Sequence, residues 1–185
     1  MEKTLYDEHS RTAVFGGGCF WCTEAVFQML KGVSKVESGY AGGAVENPSY
    51  ERVSMGNTGH AEVIRVTYDP AVISYEDLLT VFFGSHDPTT PNRQGADVGE
   101  QYRSIILYES DEDKAIAEKI AKEIQDSLTD GSHVVTQIVP LGKFFKAEEY
   151  HQDYFKTNTS APYCQLIIEP KIEKVKKRFA ELVKQ

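Results

Sequence analysis

Thr12-Ala13-Val14-Phe15-Gly16-Gly17-Gly18-Cys19-Phe20-Trp21-Cys22, running on into Thr23-Glu24-Ala25-Val26-Phe27-Gln28-Met29-Leu30, is the stretch around which the chain is organised. Its apolar opening reads as a strand, and Ala25, Val26, Met29 and Leu30 recur at helical spacing. The three glycines between them predict a strand-to-helix turn with a cysteine at its exit. There the first N–H groups of the helix lack an internal partner and the helix dipole favours an anion. A thiol so placed is expected to ionise readily, and thiolate is the reactive form. The stretch holds two of the three cysteines and the only tryptophan. Cys19 is the candidate nucleophile of a cysteine enzyme.

Working outward, 185 residues suffice for one domain with a substantial core. The polar residues 1–11 read as an arm and 12–185 as a single catalytic domain. Twenty-eight acidic against twenty basic residues give a net charge of -8, a surface that repels nucleic acid. The basic C-terminal stretch is interrupted by Glu173 and Glu181 and reads as a solvated helix face. Three cysteines cannot all pair internally, which fits a reducing compartment. No apolar run approaches the ~20 residues of a membrane span, and no signal region opens the chain. A cytoplasmic monomer is the expectation.

Downstream, Val33 to Tyr40 reads as a strand and Ala44 to Tyr50 as loop. Ala61 to Tyr68 alternates, with Glu62, Ile64, Val66 and Tyr68 on one face. Ser74 and Asp77 resemble a capping box opening a helix through Phe83. His86 to Gly99 is a long polar loop, and loops of that length are commonly functional. Arg103 to Tyr108 and Val134 to Val139 read as strands. Between them Ser110 and Asp113 start a helix with Ile116, Ile120, Ile124 and Leu128 at every fourth residue. Ala147 to Phe155 is predicted to be a short helix, Gln165 to Ile168 a strand, and Pro170 the first turn of a terminal helix. Interspersed strands and helices place the fold in the α/β or α+β class, with a mixed central sheet flanked by helices.

Cys19 and Cys22 form the C-x-x-C of a redox dithiol. A structural zinc site needs four ligands, and no second cluster supplies them. Cys22 could equally be a small buried hydrophobe. Phe20 and Trp21 cannot both enter one core easily, so at least one is expected to line a cavity suited to a thioether methyl. Glu62 begins an apolar strand face; burial there raises a carboxyl's pKa and suits a general acid. The bland reading is a solvated strand-end glutamate. Asp97, Tyr102, Tyr50 and His151 read individually as solvated polar residues. Cys164 is either an edge hydrophobe or a second redox thiol.

Nine blocks in order carry a resemblance. They are Gly18-Cys19-Phe20-Trp21, Gly39-Tyr40-Ala41-Gly42-Gly43, Asn47-Pro48-Ser49-Tyr50, Thr58-Gly59-His60-Ala61-Glu62, Tyr68-Asp69-Pro70, His86-Asp87-Pro88, Arg93-Gln94-Gly95-Ala96-Asp97, Gln101-Tyr102-Arg103-Ser104 and His151-Gln152-Asp153-Tyr154. Together they resemble the A-type peptide-methionine (S)-S-oxide reductases from about Thr12 to Cys164. The resemblance implies a two-layer sandwich and reduction of the S epimer of methionine sulfoxide, free or in proteins, with no metal or organic cofactor. It implies Cys19 as nucleophile, Phe20 and Trp21 as the methyl-binding wall and Glu62 as acid. Tyr50, Asp97 and Tyr102 would orient the sulfoxide oxygen. The Cys19 sulfenic acid would condense with a second thiol to a disulfide that thioredoxin reduces. Many members have glycine at the position of Cys22 and take the resolving thiol from near the C-terminus, which Cys164 matches. The strand expected after Cys164 would hinder its reach; Cys22 needs no such motion. Cys164 is favoured and Cys22 is the alternative. A general thiol–disulfide oxidoreductase using Cys19-Cys22 is the runner-up, and a methionine-peptide binding module the non-enzyme reading. Neither has a use for Glu62 on an apolar face.

Overall fold

The computed structural model describes residues 9–185; most of the expected N-terminal arm lies outside them. In chain order the elements are β1 (Arg11–Gly17), α1 (Phe20–Gln28), β2 (Val33–Ala41), α2 (Tyr50–Ser54), β3 (Ala61–Tyr68), α3 (Tyr75–Ser85), β4 (Arg93–Gln94), β5 (Asp97–Val98), β6 (Ser104–Tyr108), α4 (Asp111–Ser127), β7 (Gln137–Pro140), β8 (Phe145–Lys146), α5 (Tyr154–Thr157) and α6 (Glu169–Arg178). Six strands form one sheet in the order β7-β6-β1-β3-β2-β8. All its pairings are antiparallel except β6 with β7, so the sheet is mixed as expected. β4 and β5 form a separate hairpin inside the polar loop.

The sheet has two unlike faces. Phe15, Ile64, Val66, Tyr68 and Ile106 pack with Phe27, Leu78, Phe82, Ala117 and Val175 of the helices. On the other face Val14, Val63, Ile105 and Leu107 are covered by Val139, Leu141 and Phe144. Arg65 crosses that face, paired with Glu37 at 2.9 Å and lying 4.3 Å from the Phe144 ring centroid. The fold is therefore a two-layer sandwich, helices on sheet.

Local signals that were self-contained formed as read. β3 has the predicted bounds, and Ser74 and Asp77 make a reciprocal capping box at the start of α3. Two readings need correction. The helix predicted over Ala147 to Phe155 is instead β8, a 3-10 turn over Glu149–His151 and the four-residue α5. Asp153 takes a left-handed φ of 52°, which interrupts any helix there. The strand predicted over Gln165 to Ile168 is a wide π-helical turn, Cys164–Ile168, continuous with α6. Glu169 N–H reaches back five residues to Cys164 O, just before Pro170, which has no N–H to continue the regular ladder. Cys164, Ile168 and Ile172 share its buried face.

The glycine turn is sterically required. A side chain on Gly16 would lie 2.8 Å from both Glu62 O and Ile105 Cγ2, because β1 runs between β3 and β6. Gly18 has φ +98°, which turns the strand into α1.

Candidate active site

Cys19 is the N-cap of α1. Its carbonyl accepts from the N–H groups of Cys22 at 3.1 Å and Thr23 at 3.4 Å, while its side chain caps nothing. The Phe20 N–H, one of the orphan donors at the helix start, donates to Glu62 Oε2 at 3.0 Å. Glu62 is 2% exposed. Burial pushes its carboxyl up to about 8; the Phe20 N–H opposes this, and the charges of Asp97 and Cys22 add to it. From an ordinary value of 4.5, that favours the neutral acid by roughly 5 kcal/mol. Glu62 thus keeps its proton at neutral pH, the state the strand pattern suggested.

The expectation for the thiols changes. Glu62 occupies the helix-start donor that was assigned to a Cys19 thiolate. Burial, a hydrogen bond with Cys22 and the Glu62 charge hold the Cys19 thiol well above the ordinary range. The same hydrogen bond brings Cys22 down to about 7, aided by Lys171 and Tyr163. The two thiols titrate as a pair, one proton leaving near 7 while the other is retained.

Phe20 and Trp21 part company. Phe20 is 1% exposed and joins the core, tilted against Tyr40 and His151. Trp21 is half-buried and held on three sides. Its Nε1–H donates to His151 Nδ1 at 3.0 Å, its ring lies flat on Tyr154 at 3.7 Å and 6°, and Tyr163 meets it edge-on. Because His151 Nδ1 accepts, the neutral ring carries its proton on Nε2. Burial keeps that imidazole from charging.

Three separate segments bring in the remaining predicted residues. Tyr50 opens α2, its N–H donating to Glu148 Oε2 at 3.1 Å. Tyr102 closes the 3-10 turn Glu100–Tyr102. Burial raises both phenols, and each is raised further by the charges of Glu62, Cys19 and Asp97. Asp97, on the small hairpin, accepts from the Tyr163 O–H at 3.0 Å; that oxygen is also 3.6 Å from Cys22 Sγ. Cys164 is fully buried against Cys22, Ala25, Ile168 and Ile172. Burial and Cys22 push its thiol up.

Sequence reasoning did not single out Tyr163, Tyr154, Glu148 or Glu24 as members of this site. The one available signal was Glu24, a carboxylate immediately before the apolar run from Ala25 to Phe27, five residues after Cys19.

Residues 11–183 match the family described as Peptide methionine sulfoxide reductase. Peptide methionine sulfoxide reductase MsrA of Sulfolobus acidocaldarius is 56% identical over 169 residues, covering 91% of this chain and 95% of that protein. Mxr1 from Saccharomyces cerevisiae in reduced form superposes with a TM-score of 0.79 at 39% identity, over 88% of this chain and 94% of that one. The same yeast protein in complex with Trx2 gives a TM-score of 0.58 at 30% identity, over 83% and 91%. Among the described residues no helix is long and apolar enough to cross a membrane. The chain belongs to the peptide methionine sulfoxide reductase family.

Proposed function

We propose that this chain reduces the S epimer of methionine sulfoxide to methionine, free or in proteins, as a cytoplasmic monomer. The observation that carries the reading is a carboxyl kept protonated by burial at the first N–H after a candidate nucleophilic cysteine. Trp21 receives the methyl group against a wall backed by Phe20. The Cys19 thiolate attacks the sulfoxide sulfur, and its charge comes from the thiol pair as the Cys19–Cys22 hydrogen bond passes the proton to Cys22. Glu62 protonates the departing oxygen, with the Tyr50 and Tyr102 hydroxyls donating to it and Asp97 holding the Tyr163 phenol. The sulfoxide sulfur gains two electrons and leaves as methionine. Cys19 loses them and retains the oxygen as sulfenic acid.

Condensation of that sulfenic acid with a second thiol releases water and forms a disulfide. Sequence favoured Cys164 for this step; the coupling of the thiols supports Cys22 instead. Cys22 lies on the first turn of α1 and titrates together with Cys19, whereas Cys164 is fully buried in the cluster that Cys22 joins and feels the Cys22 charge. Cys164 is then the thiol to which the disulfide can pass. An external dithiol protein of the thioredoxin class restores the enzyme, a step supported by the solved complex of the yeast relative with Trx2.

Mixing reduced enzyme with methionine sulfoxide and no reductant should release about one methionine per enzyme if the cycle stops at one disulfide. Non-reducing peptide mapping under a short quench should then show Cys19 joined to Cys22. No methionine from wild type, or undiminished product from Cys19→Ser, would sink the activity. A first-formed Cys19–Cys164 link would return the resolving role to Cys164.

A further inference from the structure

Glu24 is buried, 1% exposed, on a helix whose first turn is the reacting turn. Its two oxygens accept from the N–H groups of Asp153 at 2.9 Å and Tyr154 at 3.3 Å. Those donors open α5, which has four residues, no buried residue and no side-chain cap of its own. The chain before α5 contributes only a 3-10 turn and the left-handed Asp153. Such a segment has little internal structure to fix where its side chains point. Yet Tyr154 lies flat on Trp21 at 3.7 Å. Trp21 and Glu24 are three residues apart on α1 and therefore neighbours on its surface. One helix face thus presents the substrate wall and also the group that anchors its stacking partner.

We infer that Glu24 is a positioning residue: by binding the backbone at Asp153 and Tyr154 it holds the Tyr154 ring against Trp21 and so sets the shape of the methyl-binding wall. The inference rests on the reading of Trp21 as that wall. Gln28 Nε2 to Asp153 Oδ1 at 2.7 Å is a second tie between the same two segments, but it is exposed and reaches only a side chain. Burial pushes the Glu24 carboxyl up to about 7, with both N–H groups and the Lys156 charge opposing and the Asp153 charge adding.

The single tryptophan makes this measurable, because protein fluorescence reports Trp21 alone. Glu24→Ala should raise KM for methionine sulfoxide ~10-fold while kcat changes far less, the cost of one lost hydrogen-bonding anchor. It should also open Trp21 to acrylamide quenching. Glu24→Gln, which keeps an accepting oxygen, should recover part of both. In a Tyr154→Leu background, Glu24→Ala should add little, since its effect passes through that ring. Unchanged KM and quenching in a folded Glu24→Ala protein, or full additivity with Tyr154→Leu, overturns the inference. If Glu24→Ala does not fold, the same cycle with Glu24→Gln decides it by the same two readouts. If wild type releases no methionine the functional reading falls, while the quenching cycle still reports whether Glu24 holds the stack.

Discussion

Glu62 combines two effects that glutamine should separate. As the acid, its replacement by Gln is expected to slow methionine formation ~10²-fold or more in single-turnover experiments. As a buried carboxyl raised to about 8, it favours folding while protonated. In the unfolded chain it ionises near 4.5, so the unfolded state binds fewer protons between those values and stability falls as pH rises through them. Glu62→Gln should therefore be more stable than wild type at pH 7, by ~1–3 kcal/mol in urea titrations. A variant both slower and less stable would contradict this account. The pH profile follows from the same two groups. Activity should rise as the thiol pair loses its first proton near 7 and fall as Glu62 ionises near 8; Gln should abolish the falling limb. The burial of Glu62 was legible in sequence because strand alternation placed a carboxylate in an apolar row. The thiol pairing was not, because it depends on which donor the Glu62 oxygen occupies, 42 residues away along the chain.

At the scale of elements, the join between α3 and β6 shows how helices here are tied to the sheet. His86 Nδ1 faces Phe82 O at 2.5 Å and so must donate. Its Nε2 therefore accepts from Ser104 Oγ at 2.8 Å, which leaves Ser104 to accept from Thr136 Oγ1, also at 2.8 Å. A protonated ring would break the second link, and burial lowers the His86 pKa to about 4. The unfolded chain takes up that proton near 6.5, so the contribution of His86 to stability should be lost as pH falls from about 6.5 towards 4, opposite in sign to that of Glu62. Melting curves of wild type and His86→Gln across that range should isolate it: any advantage of wild type should shrink as pH falls. The capping box at the other end of α3 is legible because both partners lie three residues apart. Gln165 to Ile168 reads falsely as a strand because a short apolar run fits either period. Extending the window to Ile172 and Val175 brings out the helical spacing that the buried face confirms.

For the whole molecule, the C-terminal residues close on the far end of α1. Leu30 bridges to Val183, Lys184 N–H donates to Met29 O, and the Lys184 ammonium donates to Gln28 O and Val33 O, each at 3.0 Å. The last residues thus serve the carbonyl end of α1, while Glu62 serves its amide end. Removing residues 182–185 should lower stability by ~1–3 kcal/mol and loosen α1, read by hydrogen exchange at Met29 and Lys31. Unchanged exchange there would show the tail to be passive. None of these ties could be read from the sequence, since they join positions some 150 residues apart through backbone groups common to every residue. The Phe20–Glu62 contact has one more consequence, which concerns charge. Before attack, the start of α1 faces one thiolate and a neutral carboxyl. On transfer the negative charge passes from sulfur to the Glu62 oxygen without leaving the helix end. Because burial keeps Glu62 protonated at neutral pH, that carboxylate then takes a proton from solvent. In the proposed cycle the disulfide form therefore carries less negative charge at the helix end than the thiolate form, and presents a weaker negative field to an approaching reductant.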